Sequence, residues 1–154
     1  MVAEIPPGTQ DCNCFALRSA ARHISQLYDQ LMAPVGLRTT QFSILAKLDR
    51  VGPMTINALA ENMVMDRTTL GRNVLPLERD GLIAIAPSAS DRRAKEVRLT
   101  KVGEKRLQQA LTAWSQAQER FEMSFGIKRA AELRSMLRAV AASRFRPSAL
   151  PADR

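Results

Sequence analysis

The chain is poor in the residues from which disulfide scaffolds, metal centres and most hydrolytic sites are assembled. Of 154 residues, two are cysteine and one is histidine, His23. Cys12 and Cys14 have a single residue between them, which excludes a disulfide framework and a four-cysteine zinc site. There is no glycine-rich phosphate loop, no pair of carboxylates in an apolar setting and no cluster with metal-ligand spacing. Neither an enzyme nor a bound metal or cofactor is therefore expected. Aromatic residues make up 5% of the chain, too few for the stacking surfaces of single-strand binders. No apolar run approaches the ~20 residues needed to cross a bilayer. The first ten residues lack the basic patch and apolar core of a secretory signal. The expectation is a cytoplasmic protein with no membrane partner.

Positive charge is what the chain has in surplus. Lys and Arg number 23 against 15 Asp and Glu, a net charge of +8. That balance favours a polyanionic partner such as nucleic acid. The basic residues concentrate in the middle of the chain, which speaks for a shaped DNA contact over non-specific nucleic-acid packaging; equal affinity for random and operator DNA would favour the latter. A hydrophobic fraction of 45% is enough for one core.

The periodicity predicts a mainly α protein. Residues 1–10, with Pro6, Pro7 and Gly8, are expected to be disordered, and residues 143–154 to form a flexible tail. A first helix is predicted over Cys12 to Ala33, with Leu17, Ala20, Ala21, Ile24, Leu27, Tyr28 and Leu31 at helical spacing. Pro34 and Gly36 stop it. A second helix starts with Thr39 or Thr40 as N-cap, turns Phe42, Leu45, Ala46 and Leu48 inward and ends near Gly52-Pro53. Thr55 then caps a short helix with Ile56, Leu59, Ala60 and Met63 on one face. Asp66 caps the next, in which Leu70, Val74 and Leu77 form the buried stripe. Two short helices joined by a tight turn make a helix-turn-helix. Pro76 is expected to bend or end the regular part of its second helix near Arg72 or Asn73.

Gly81 closes that helix. Leu82–Ile85 and Val97–Thr100 read as a two-stranded hairpin, a wing carrying Arg92, Arg93, Lys95, Arg98 and Lys101 against Asp91 and Glu96. A long helix follows to about Phe125, expected to bury Leu107, Leu111, Trp114, Phe121 and Phe125. A last helix, about Lys128 to Ala142, is expected to bury Leu133, Met136, Leu137 and Val140. The winged helix-turn-helix is thus assigned to 37–100, and 11–36 with 101–142 to a helical dimerisation region. These outer helices could cover their own wing domain or a second subunit. A two-fold dimer is the more economical way to bury faces of that width.

The residues expected at DNA are Arg67, Thr68, Thr69, Arg72 and Asn73 on the recognition helix. Arg suits guanine, Asn adenine, and Thr a phosphate or a thymine methyl. Thr39 and Thr55, at helix starts, are added, with Lys95 on the wing. Arg92 and Arg93 at the wing tip suit a minor groove, with Asp91 orienting a neighbouring arginine.

The run Asp91-Arg92-Arg93-Ala94-Lys95-Glu96-Val97-Arg98-Leu99-Thr100 resembles the wing motif of the MarR family. The likeness extends over Leu37–Phe42, Leu59–Leu70 and Leu77–Leu82, and in outline from Cys14 to Val140. It implies a dimeric regulator that binds a pseudo-palindromic operator on double-stranded DNA, usually a repressor released by a small molecule or an oxidant. An aromatic or otherwise apolar effector would be met by Arg18, Arg22, His23 and Phe42. Cys14-Phe15-Ala16-Leu17 is similar to the cysteine segment of the family's organic-hydroperoxide sensors, in which two tyrosines support the reactive thiol. Tyr28 matches one of them and Arg18 stands at the other. The alternative is therefore a thiol-based sensor using Cys14. A Cys12–Cys14 disulfide would be strained, so Cys12 would resolve oxidised Cys14 only between subunits or after rearrangement.

Overall fold

The computed structural model describes Gly8 and residues 11–143, so the expectations for the two ends fall almost wholly outside the described residues. The elements are α1 (Asn13–Met32), a 3-10 turn (Ala33–Val35), α2 (Thr39–Val51), β1 (Met54–Thr55), α3 (Ile56–Asn62), α4 (Arg67–Arg79), β2 (Ile83–Pro87), β3 (Lys95–Leu99), α5 (Lys101–Phe125) and α6 (Ile127–Ala142). The chain divides into two units, one ending at Ala117 and one beginning at Gln118; α5 starts in the first and finishes in the second.

The first unit is a winged helix-turn-helix fold. Its core gathers Met32 from α1, Phe42, Ile44, Leu45 and Leu48 from α2, Leu59 from α3, Leu70, Val74 and Leu77 from α4, and Val97 from the sheet. The sheet has three antiparallel strands in the order β1-β3-β2. Ile83 stands opposite Leu99 and Ile85 opposite Val97, while Met54 takes the other side of Val97. The hairpin is therefore no isolated ribbon. The two-residue β1 covers the free edge of β3 and ties the wing to the start of α3. The sequence reading lacked this strand, because only tertiary pairing distinguishes Met54-Thr55 from a helix cap.

Several local expectations are corrected. The N-cap of α2 is Arg38, one residue before the expected threonines; its N–H donates to Gln41 Oε1 at 2.9 Å. α4 runs through Pro76 to Arg79. The proline removes one N–H, but Leu70, Val74 and Leu77 anchor the helix on both sides of it. Along α5 the buried residues are Gly103, Leu107, Ala110, Ala113 and Ala117. Leu111 and Trp114 are exposed, and Phe121 and Phe125 half-buried. The covered face is the one whose small side chains permit close approach, offset from the bulky stripe. In α6 only Ala130 is buried; Leu133 is half-buried, and Met136, Leu137 and Val140 are exposed. Leu17, Ala20 and Ala21 of α1 are exposed as well.

The second unit, described by itself, has an aromatic pair, Phe121 and Phe125, stacked at 5.3 Å. The Arg129 guanidinium lies 4.4 Å from the centre of the Phe125 ring, and Arg134 pairs with Glu122 at 2.9 Å.

One junction fixes the recognition helix to the rest of the first unit. α4 ends in a paired turn: Leu82 N–H donates to Leu77 O and Gly81 N–H to Glu78 O, both at 2.9 Å. Gly81 has φ 72°, the left-handed conformation this closure needs. The Thr100 hydroxyl reaches Gly81 O at 2.6 Å and Leu82 O at 3.1 Å, and accepts Gly103 N–H at 3.0 Å. A Cβ on Gly103 would stand 2.0 Å from Leu82 O and 2.7 Å from Leu99 Cδ1. Leu82 O is backbone, held by Thr100 N–H and its hydroxyl, and cannot give way without moving the junction. Gly103→Ala should therefore destabilise the fold by about 3 kcal/mol, the upper end of overpacking costs, read as a shift in the urea unfolding midpoint.

Candidate nucleic-acid interface

The helix-turn-helix is built from two capped starts. Thr55 Oγ1 accepts Ala58 N–H at 3.1 Å and so begins α3. The Asp66 carboxylate accepts both Thr69 N–H, at 2.8 Å, and the Thr69 hydroxyl, at 2.6 Å. These bonds, the hydroxyl's first, hold the Asp66 carboxyl below its ordinary pKa. Because the shift is downward, the cap acts at full strength above the usual carboxylate range and is lost only as pH falls below it.

This chemistry sorts the expected contacts. Arg67, Thr68 and Arg72 are exposed along the first two turns of α4. The Thr69 hydroxyl spends its hydrogen on the bond to Asp66, so only its lone pairs and methyl are left for another partner. The Asn73 side-chain amide donates to Thr69 O at 2.8 Å, so its N–H group is partly committed to its own helix. Thr39 is not presented to DNA. Its N–H donates to Asp29 Oδ1 at 2.7 Å, and its hydroxyl oxygen is buried without a partner among the described residues. Its place at the helix start turns that hydroxyl inward.

The wing is ordered from its base to its tip. Ser88 N–H donates to Ala94 O at 2.8 Å and closes the loop. The buried Ser88 hydroxyl reaches Glu96 Oε2 at 3.3 Å, while Glu96 Oε1 pairs with Arg98 at 2.9 Å. Asp91 does orient its neighbour, but through the backbone: its carboxylate accepts Arg93 N–H at 2.9 Å. Arg92, Arg93 and Lys95 are exposed.

A cleft of about 370 Å³ joins the two parts, lined by Thr55, Asn57, Arg67, Asp91, Arg93 and Lys95 among others. Three cations from α4, the wing tip and β3 thus face one opening against a single carboxylate. Asn57 was not singled out from the sequence. It stands second in α3, and its only signal is its place beside the Thr55 cap.

The effector and redox candidates lie elsewhere. Arg18, Arg22 and His23 are exposed on α1, and Arg22 Nε donates to Arg18 O at 3.2 Å. Phe42 is buried in the core and stacked on Trp114 at 6.3 Å, so it is not assembled with those three into an open pocket. Cys12 and Cys14 are free and exposed. Cys12 is the N-cap of α1, its Sγ accepting Phe15 N–H at 3.5 Å. Tyr28 is buried and fourteen residues along the same helix from Cys14. At 1.5 Å per residue that is about 21 Å, so the two meet only if a second chain brings them together.

Arg93→Ala should weaken binding to every duplex tested and lower the slope of log affinity against log salt by about one unit for each Arg93 that contacts the duplex. Titrations of the purified protein at four salt concentrations measure both.

Comparison with known proteins agrees with this geometry. The MarR family profile matches residues 37–95, the helix-turn-helix and most of the wing. The Mycobacterium tuberculosis transcriptional regulator MosR, solved in complex with DNA, is 36% identical, with a TM-score of 0.73 over 86% of this chain and 98% of that one. The transcriptional repressor CouR, solved on a 23-mer DNA duplex, is 26% identical, with a TM-score of 0.77 over 90% and 99%. Among curated sequences, the transcriptional activatory protein BadR of Rhodopseudomonas palustris is 30% identical over 92 residues, 58% of this chain. The match spans about half of that relative, 53% of its length. None of these relatives is an enzyme, and no helix among the described residues is long and apolar enough to cross a membrane. With its capped helix pair, its closed wing and these matches, the chain belongs to the MarR family of transcription regulators.

Proposed function

We propose that this regulator is a homodimer that binds a pseudo-palindromic DNA operator sequence-specifically, and that it represses by occupying the promoter. The observation that carries the reading is the cationic cleft in which the start of α4 and the wing tip face one opening. α4 enters a major groove while Arg92 and Arg93 follow the adjoining minor groove. The half-sites lie about 10 bp apart, one turn of the duplex.

The dimer is supported by apolar groups that one chain leaves uncovered. Phe15 and Leu17 on α1 and Met123, Ile127, Met136, Leu137 and Val140 on α5 and α6 are all exposed, more than a soluble monomer ordinarily shows in so few helices. Sedimentation at micromolar concentration should give twice the chain mass of 17.1 kDa; a single-chain mass overturns the dimer.

Two signals could release the DNA. An aromatic or apolar acid would call on Arg18, Arg22, His23 and Phe42, and the Phe42–Trp114 pair would have to part to admit it. A thiol signal needs no such opening, because both cysteines are exposed. The Cys14 thiolate attacks an organic hydroperoxide, takes its terminal oxygen as a sulfenic acid and releases the alcohol. The likeness of Cys14-Phe15-Ala16-Leu17 to the family's hydroperoxide sensors supports this second route as the alternative to a small-molecule effector. Binding to the protein's own upstream intergenic DNA should be lost on stoichiometric hydroperoxide and restored by a thiol reductant, while Cys14→Ser binds throughout. Tight binding that survives oxidation returns the assignment to a small-molecule effector.

A further inference from the structure

Val64 is the one residue other than glycine that has a positive φ among the described residues, at 53°. It closes α3 in the turn of the helix-turn-helix. Met65 N–H donates to Ala60 O at 2.9 Å and Val64 N–H to Glu61 O at 3.1 Å. The end of α4 repeats this pattern bond for bond, with Gly81 at the left-handed position. Glycine accepts that conformation freely, whereas a β-branched side chain crowds the neighbouring carbonyl. Nothing among the described residues offsets the crowding, since Val64 is 74% exposed. An apolar, strained and unpacked side chain thus stands three residues before Arg67, at the end of the recognition helix that goes deepest into a groove.

We propose that Val64 is an apolar DNA contact, its isopropyl group packing on the carbon surface of the duplex beside the major groove. The left-handed valine is kept for that contact against the stability of the free fold, as strained residues at functional sites are. The inference rests on the DNA interface described above and names a residue that the cationic cleft does not include. The carbon surface is a deoxyribose or a thymine methyl, and the two are separable by experiment.

The test uses the full-length protein and a duplex it selects from a random-sequence pool. Val64→Gly should keep its Tm at or above the wild-type value. Its affinity for the selected duplex should fall about five- to tenfold per subunit engaged, as the loss of one buried aliphatic side chain in each implies. Its salt slope should be unchanged, because an apolar contact releases no counterions. Arg93→Ala, run beside it, changes the slope. A loss reproduced in the wild type by replacing thymidine with deoxyuridine assigns the contact to a base methyl, and an equal loss on random duplex assigns it to sugar. Unchanged affinity of Val64→Gly overturns the proposal, and so does a fall in its Tm, which would mean that the valine packs within the fold. If the wild type binds no duplex at all, the interface reading falls and takes this contact with it.

Discussion

The DNA-facing half of this molecule depends on one hydroxyl. Thr100 Oγ1 holds the last carbonyls of the α4 closure and caps the first turn of α5, with Gly103 pressed against Leu82 so closely that no side chain fits between them. The recognition helix is thereby a fixed lever on the longest helix of the chain. Its other end is set independently by Asp66 and Thr69. With both ends held, the orientation of Arg67, Thr68 and Arg72 follows from backbone geometry, and their own side chains need carry none of it.

The wing is held by a different logic. β1 joins it to α3 through only two residues, Met54 and Thr55, and Ser88 with Glu96 closes its base. Arg92 and Arg93 beyond that base are positioned by turn geometry, with the Asp91 carboxylate fixing the backbone and leaving both guanidinium groups outside. A narrow minor groove rewards such charge through its enhanced potential. In the DNA-binding mode proposed above, the helix would read and the wing would grip, and the cleft between them is lined by both.

Much of this was legible in the residues because the decisive bonds are local. Thr55, Asp66 and Gly81 each act within five positions of themselves, and their types announce helix starts and stops. The wing motif is likewise contiguous. What could not be read is what tertiary structure decides. β1 exists only because Val97 lies beside Met54. Thr39 looked like a surface cap, but Arg38 caps the helix, the Thr39 N–H is held by Asp29, ten residues earlier, and the hydroxyl is buried. The covered face of α5 runs along its alanines, since close approach selects small side chains, while hydropathy periodicity counts large ones. The exposed Met136, Leu137 and Val140 have the periodicity of a core, and among the described residues nothing covers them.

Pro76 has a consequence for how the recognition helix responds to DNA. Helical order is passed along by successive hydrogen bonds, and at this residue the donor that would serve the Arg72 carbonyl is missing. The helix is continuous through the proline, with one bond of its ladder absent. The first two turns and the final turn, which is joined to α5, are thus linked by one backbone hydrogen bond fewer than an uninterrupted helix would have. A local opening there costs less than elsewhere in the helix, and it would let the leading turns of α4 adjust without unfolding the anchored end.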